Sequence, residues 1–85
     1  MSNKKIMSNK DKYIKVFTDT FKIDKKKLSK DLKYSSIPEW DSVGHMAMIG
    51  KLEKSFKITM EMDDIIDFSS FNEGKKILKK YKIKF

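Results

Sequence analysis

The stretch PEWDSVGHM, residues 38–46, marks the point at which a long irregular segment gives way to a helix. Pro38 disfavours helix before it, and Asp41 and Ser42 are both residue types that cap helix N-termini. Apolar residues then recur every three or four positions, which predicts an amphipathic helix with one buried face. They are Val43, Met46, Ile49, Leu52 and Phe56. Because one good cap is enough to start a helix, the second polar residue exceeds the structural requirement.

Three further helices are predicted on either side of this one. The first covers about residues 11–24, a short one covers 63–67 with acidic residues in its first turn, and the last begins at the capping box of Ser70 and Glu73. Three residues near the short helix are expected to pack inward: Ile65, Ile66 and Phe68. Apolar residues alternate over 58–62, but no partner strand is available. The sequence predicts a small all-α four-helix bundle with a long loop between helices one and two and a short third helix.

The N-terminal segment and the glycines add two expectations. Residues 1–10 have no apolar periodicity and are predicted to form a disordered tail, which leaves residues 11–85 as the folded domain.

Gly44 and Gly50 lie inside the second helix, where each costs about 1 kcal/mol relative to alanine. We expect Gly50 to permit close helix packing, whereas the pattern gives no structural reason for Gly44.

The net charge of +8 is unevenly distributed along the chain. Residues 1–33 carry a net +7 and residues 75–85 a net +6, while residues 34–74 carry a net −5. All twenty basic residues are lysine, so the forked arginine donors that read guanine edges are missing. A solvated basic surface is therefore the preferred interpretation of the lysines, and nucleic-acid binding through the lysine-rich ends is an alternative.

Other site chemistries fit the sequence poorly. The chain has no cysteine, and the only histidine, His45, would have to activate Ser42 without the G-x-S-x-G turn of serine hydrolases. The acidic residues of 61–67 lack the spacing of a calcium loop. We therefore expect neither an enzyme nor a metal site. No apolar run is long enough for a membrane span or a secretory signal, so a cytoplasmic protein is expected.

Ser42 has a specific chemical use at the start of a helix. Its hydroxyl is expected to be exposed, and the positive end of the helix dipole favours a phosphodiester at that position. The surrounding residues resemble the acyl carrier protein family: Asp41-Ser42-Val43 is similar to the Asp-Ser-Leu attachment motif, Trp40 precedes it and 44–46 follow as Gly-His-Met. The resemblance continues through LEKSF at 52–56 and FSSF at 68–71.

The resemblance implies a carrier function. A phosphopantetheinyl transferase would attach the 4'-phosphopantetheine arm of coenzyme A to Ser42, with Asp41 recognised as part of the motif. The thiol of the arm would carry acyl groups as thioesters between partner enzymes, such as an acyl-activating ligase, a ketosynthase or an acyltransferase. The residues implied in partner docking are Val43, Glu53, Asp63, Asp64 and Asp67. Those implied in sheltering the acyl chain are Met46, Ile49, Met60, Ile65 and Phe68.

Departures from the family pattern narrow this interpretation. Valine replaces the usual leucine at Val43, and Gly44, Ala47 and Lys54 stand where acidic residues are common. A weaker acidic docking face favours a specialised, free-standing carrier of a lipid, polyketide-like or other dedicated pathway, and we expect the protein to be a monomer. Aminoacyl, peptidyl and D-alanyl carriers share the serine and remain open alternatives. A non-covalent helical interaction module is the alternative from a different class.

Overall fold

The computed structural model describes residues 8–29 and 31–85, which fold into four α-helices and a short 3-10 turn. The helices are α1 (Asn9–Phe21), α2 (Ser42–Phe56), α3 (Met62–Asp67) and α4 (Phe71–Lys79), and the 3-10 turn covers Lys25–Lys27. No β-strand forms within these residues; Lys33 and Ser70 make only an isolated bridge. The predicted all-α architecture is confirmed, together with the long loop after the first helix and the short third helix.

The start of α1 lies within the predicted tail. The Ser8 hydroxyl accepts a hydrogen bond from the Asp11 amide at 3.1 Å, which caps the helix and lets it begin at Asn9. Residues 9 and 10 therefore belong to α1. The rest of the predicted tail, residues 1–7, lies outside the described residues. At the other end, α1 stops at Phe21 rather than near Asp24 because Lys22 adopts a left-handed conformation.

The core is built mainly from aromatic rings of α1, the loop and the α3–α4 region. Phe17 of α1 packs edge-on against Trp40, with ring centroids 5.5 Å apart, and also against Phe71 at 5.0 Å. Tyr13 is completely buried and its hydroxyl donates a 2.6 Å hydrogen bond to the Phe71 carbonyl. Burial raises the pKa of Tyr13 well above its usual value. These contacts fix α4 against α1.

The loop between α1 and α2 is held by backbone hydrogen bonds to the start of α4. The Tyr34 amide donates to the Ser69 carbonyl and the Phe71 amide donates to the Leu32 carbonyl, both at 2.9 Å. Trp40, with no exposed surface, anchors the end of the loop in the core. This arrangement fixes the position of the residues immediately before α2.

The two glycines of α2 have the opposite roles from those predicted. A Cβ atom on Gly44 would overlap the backbone carbonyl oxygen of Glu39 and lie 3.3 Å from the Phe21 ring, so only glycine lets the loop pass this close. A Cβ atom on Gly50 would have no neighbour within 4 Å. Gly50 is exposed and makes no close packing contact among the described residues. Chain spacing could not reveal that the loop crosses the helix at Gly44.

The buried face of α2 also differs from the predicted stripe. Met48, Ile49 and Leu52 are buried, whereas Val43 is 79% exposed and Met46 is 55% exposed. In α3, Ile66 points outward instead of inward. The first turn of α2 packs instead through Gly44 and His45, which face Glu39 and Trp40, and this leaves Val43 and Met46 on the exposed side of the helix. No helix in residues 8–29 or 31–85 is long and apolar enough to cross a membrane.

Candidate functional site

Asp41 and Ser42 have different positions at the start of α2. Asp41 is the N-cap of α2, and its Oδ1 atom accepts a 2.8 Å hydrogen bond from the Gly44 amide. Ser42 is the first helical residue and is exposed. Among the hydrogen bonds between described residues, none uses the Ser42 hydroxyl. The capping role therefore falls to Asp41, and the serine hydroxyl is available at the positive end of a 15-residue helix.

Ser42 lies on the rim of an open groove between α2 and α3, which we call the Ser42 groove. Its volume is about 380 Å³, near the lower end of the roughly 300–1,000 Å³ typical of ligand pockets. The lining is mostly apolar and comprises Tyr34, Ser42, His45, Met46, Met62, Ile65, Ile66, Phe68 and Ser69. An apolar cleft thus adjoins the Ser42 hydroxyl.

The predicted pocket residues are only partly brought together. Met46, Ile65 and Phe68 line the Ser42 groove. Ile49 and Met60 do not line it, because both are buried in the core with 1% and 5% of their surface exposed. These two residues are therefore part of the core and not of the groove wall.

His45 is the site residue that sequence reasoning undervalued. The Trp40 indole N–H donates to His45 Nδ1 at 2.9 Å, and His45 Nε2 lies 2.9 Å from the Ile65 carbonyl oxygen. Because an indole N–H can only donate, Nδ1 is the acceptor, and Nε2 carries the proton that is donated to Ile65. The imidazole therefore joins the loop, α2 and α3 through its two ring nitrogens. A buried tryptophan needs an acceptor, so Trp40 was the signal that could have identified this role.

The predicted docking residues fall into two groups. Val43, Asp63 and Asp67 are exposed, and so are three apolar residues that line the Ser42 groove, Met46, Met62 and Ile66. Glu53 is half-buried, and its Oε2 atom accepts a 2.9 Å hydrogen bond from the Met60 amide, which fixes the connection between α2 and α3.

Asp64 does not belong to the exposed acidic surface. It is buried, and its carboxylate accepts hydrogen bonds of 2.6 Å from both the Lys80 ammonium and the Tyr81 hydroxyl. The hydrogen bonds from Lys80 and Tyr81 lower the pKa of Asp64 below its usual value. In turn, the hydrogen bond to Asp64 raises the pKa of Lys80, while burial and the same carboxylate raise the pKa of Tyr81. Asp64 therefore connects α3 to the turn after α4.

A second groove lies between α1 and α2 and is called here the lysine groove. It has a volume of about 390 Å³ and is lined by Lys12, Lys15, Val16, Asp19, Lys51, Lys54 and Ser55. One of the lysines, Lys15, forms a 3.2 Å salt bridge with Asp19. Two of its lysines come from α2, inside the segment whose net charge is negative, so the basic surface is not confined to the chain ends.

The comparisons with known proteins do not extend this description. No protein-family model matches the chain, and no curated protein matches it either.

Proposed function

We propose that the protein is an acyl carrier protein in which Ser42 accepts 4'-phosphopantetheine and the thiol of that arm carries acyl groups as thioesters. The observation that carries the proposal is the division of roles at the start of α2. Asp41 supplies the cap, so the Ser42 hydroxyl is exposed at a helix N-terminus. The dipole of α2 would favour the negative phosphodiester at this position. The apolar groove beside the serine would bind the arm and its cargo.

The reaction needs little chemistry from this chain. The transferase would activate the Ser42 hydroxyl, which would attack the β-phosphorus of coenzyme A. A phosphodiester would form and 3',5'-ADP would leave. The chain's own contribution is to hold the serine exposed, with Asp41, Gly44 and Trp40 fixing the backbone around it. The chain would then serve as a substrate of several enzymes and catalyse nothing itself.

The exposed surface around Ser42 suits docking to partner enzymes. Met62 and Ile66, which both line the Ser42 groove, are each 69% exposed, and Val43, next to Ser42 in the chain, is 79% exposed. Asp63 and Asp67 lie on the same short helix and add negative charge beside this surface. This surface would fit a partner enzyme that has a basic rim around an apolar patch. Such a partner could be a transferase, an acyl-activating ligase, a ketosynthase or an acyltransferase.

The proposal is tested by intact mass spectrometry after incubation with coenzyme A and a broad-specificity phosphopantetheinyl transferase. The parent chain is expected to gain one phosphopantetheine, and Ser42→Ala none. Ser69→Ala is the matched control, because Ser69 lines the same groove but does not start a helix. It is expected to be modified like the parent. A parent chain of unchanged mass would contradict the carrier proposal.

Carriers of aminoacyl, peptidyl or D-alanyl groups would use the same serine. They are distinguished by the adenylating enzyme that loads the modified chain: an acyl-activating ligase for fatty or polyketide-like acids, or an amino-acid-activating ligase for the others. Mass spectrometry of the loaded thioester with each ligase class decides between them.

One observation favours an alternative from a different class. Four lysines line the lysine groove, which a phosphate backbone could follow. As a nucleic-acid-binding module, the chain would retard an oligonucleotide in a gel, with an affinity that falls steeply with salt and is lost in Lys51→Glu and Lys54→Glu. Unmodified Ser42 together with salt-sensitive retardation would favour this alternative.

A further inference from the structure

The gap between α2 and α3 is crossed by the His45 side chain. His45 Nε2 donates to the Ile65 carbonyl of α3, and His45 Nδ1 accepts from the Trp40 indole. The imidazole lies nearly parallel to the Trp40 ring, with an angle of 15°, and edge-on to Phe68. These contacts place His45 between the Ser42 groove and the core.

The wall formed by His45 and Phe68 separates the groove from the interior. Phe68 and Trp40 are both buried, with 1% and 0% of their surface exposed. Ile49 and Met60 are also buried and do not line the groove. Ile49 follows His45 by one turn on the same face of α2, so an alkyl chain that moved from the groove toward Ile49 would have to displace the imidazole from Trp40 and Ile65. That would leave the Trp40 indole N–H in the core without its acceptor, which is an unfavourable state.

We propose that His45 determines how deeply a cargo attached to Ser42 can enter between α2 and α3, and that it confines the cargo to the surface groove. This proposal rests on the carrier function proposed above. The groove is open to solvent along one side, so it can cover a compact acyl or aminoacyl group, whereas a long saturated chain lying in it would keep much of its surface in water. The hydroxyl groups of Tyr34 and Ser69 on its lining suit a cargo with polar atoms. His45 is thus a positioning residue that selects for short, partly polar cargo.

The absence of cysteine allows a test that needs no transferase. Ser42→Cys introduces a single thiol at the attachment position, and alkyl methanethiosulfonates of different length can be coupled to it. The introduced thiolate attacks the reagent's sulfenyl sulfur, a disulfide forms and methanesulfinate leaves. Propyl and decyl adducts then probe how far a chain enters, and backbone amide shifts measured by NMR report where it lies.

In the Ser42→Cys parent, both chains are expected to shift the amides of Met62 and Ile66, and neither is expected to shift those of Ile49 and Met60. In Ser42→Cys/His45→Ala, the decyl chain is expected to shift Ile49 and Met60 while the propyl chain does not. A merely structural loss of His45 would change the propyl and decyl adducts alike, so the dependence on chain length is the informative readout. The imidazole ¹⁵N shifts of the parent should show the tautomer with the proton on Nε2.

A decyl chain that shifts Ile49 and Met60 in the parent would overturn the proposal, and this measurement needs no His45 variant to fold. Ser42→Cys/His45→Leu, which fills the space without the hydrogen bonds, is the second variant and is expected to resemble the alanine variant. If both variants kept the decyl chain in the groove, the proposal would also be overturned. Because the chains are attached chemically, the result does not depend on phosphopantetheine transfer to Ser42.

Discussion

At the scale of single residues, the site depends on which side chain performs which task at the start of α2. Asp41 binds the Gly44 amide, and Ser42 is left exposed beside it. Gly44 then lets the loop carbonyl of Glu39 approach the helix, which fixes the backbone that presents the serine. Three neighbouring residues therefore have three separate physical roles.

The role of Gly44 gives a prediction with a matched control in the same helix. Gly44→Ala is expected to lower the free energy of unfolding, because displacing the Glu39 carbonyl costs more than the helix propensity of alanine returns. Overpacking costs typically about 1–3 kcal/mol, against a gain of about 1 kcal/mol from propensity.

Gly50→Ala has the same propensity gain and meets no neighbour, so it is expected to stabilise the chain by up to about 1 kcal/mol. Urea unfolding of both variants checks this pair. Equal stabilisation by both substitutions would show that the loop moves away from Gly44 without cost.

At the scale of elements, α3 is too short to be stable by itself and depends on contacts with its neighbours. Its six residues are held by the His45–Ile65 hydrogen bond on one side and by the bonds of Asp64 to Lys80 and Tyr81 on the other. The Tyr81 hydroxyl also accepts a 2.8 Å hydrogen bond from the Glu61 amide just before the helix. Contacts with neighbouring elements, and not intrinsic helix propensity, therefore stabilise α3.

Asp64→Asn is expected to lower the melting temperature at neutral pH, because it removes the charge that pairs with Lys80. The pKa of Asp64 is lower in the folded state than in the unfolded state, so its stabilisation is complete above the unfolded value, about 3.9, and is lost as the pH falls through the folded value. The difference between parent and variant should therefore disappear in strong acid.

Asp63→Asn is the control for this pH series, since Asp63 is exposed in the same first turn and its removal affects the helix dipole equally. Thermal unfolding followed by circular dichroism from neutral pH to about pH 2 measures both variants. A destabilisation by Asp64→Asn no larger than that by Asp63→Asn would contradict the role of the buried carboxylate.

The helices themselves were largely predictable from the sequence. Which side of each helix is buried was not. Spacing and capping signals gave all four helices, including the cap at Ser70, whose hydroxyl accepts from the Glu73 amide at 2.9 Å. Apolar spacing alone did not reveal that Val43, Met46 and Ile66 are exposed, because it does not show which side of each turn packs against the rest of the chain. The role of Asp64 was missed because its partners are sixteen and seventeen residues away.

At the scale of the whole molecule, negative and positive charges lie on different surfaces. The groove beside Ser42 has exposed acidic residues on α3, and the groove between α1 and α2 is lined by lysines. A basic partner enzyme would therefore meet the Ser42 side with favourable charge, in spite of the overall +8.

Asp67→Lys is expected to slow phosphopantetheine transfer to Ser42 by about two- to tenfold at low salt, because it reverses charge on the proposed docking surface. The control is Asp19→Lys, which makes the same change near the C-terminal end of α1, in the lysine groove. Initial transfer rates at two salt concentrations check the prediction: the effect of Asp67→Lys should weaken with salt. Equal slowing by both substitutions would contradict a docking surface beside α3.

The site as a whole was partly predictable from the sequence. The excess of polar residues at one helix start drew attention to Asp41 and Ser42, and three residues implied by the resemblance, Met46, Ile65 and Phe68, line the groove, while their part in binding a cargo stays a prediction. The groove's closed inner wall was not predictable, since His45, Trp40 and Ile65 meet only after the loop and α3 have packed on α2.

The proposed attachment of phosphopantetheine to Ser42 is tested most directly by locating the modified residue within the chain. After incubation with coenzyme A and a phosphopantetheinyl transferase, the protein is digested and its peptides are sequenced by tandem mass spectrometry. One phosphopantetheine is expected on the peptide that contains Ser42, and its loss as a neutral fragment should leave dehydroalanine at that position. An unmodified Ser42 peptide, or a modification on another serine, would contradict the proposed attachment.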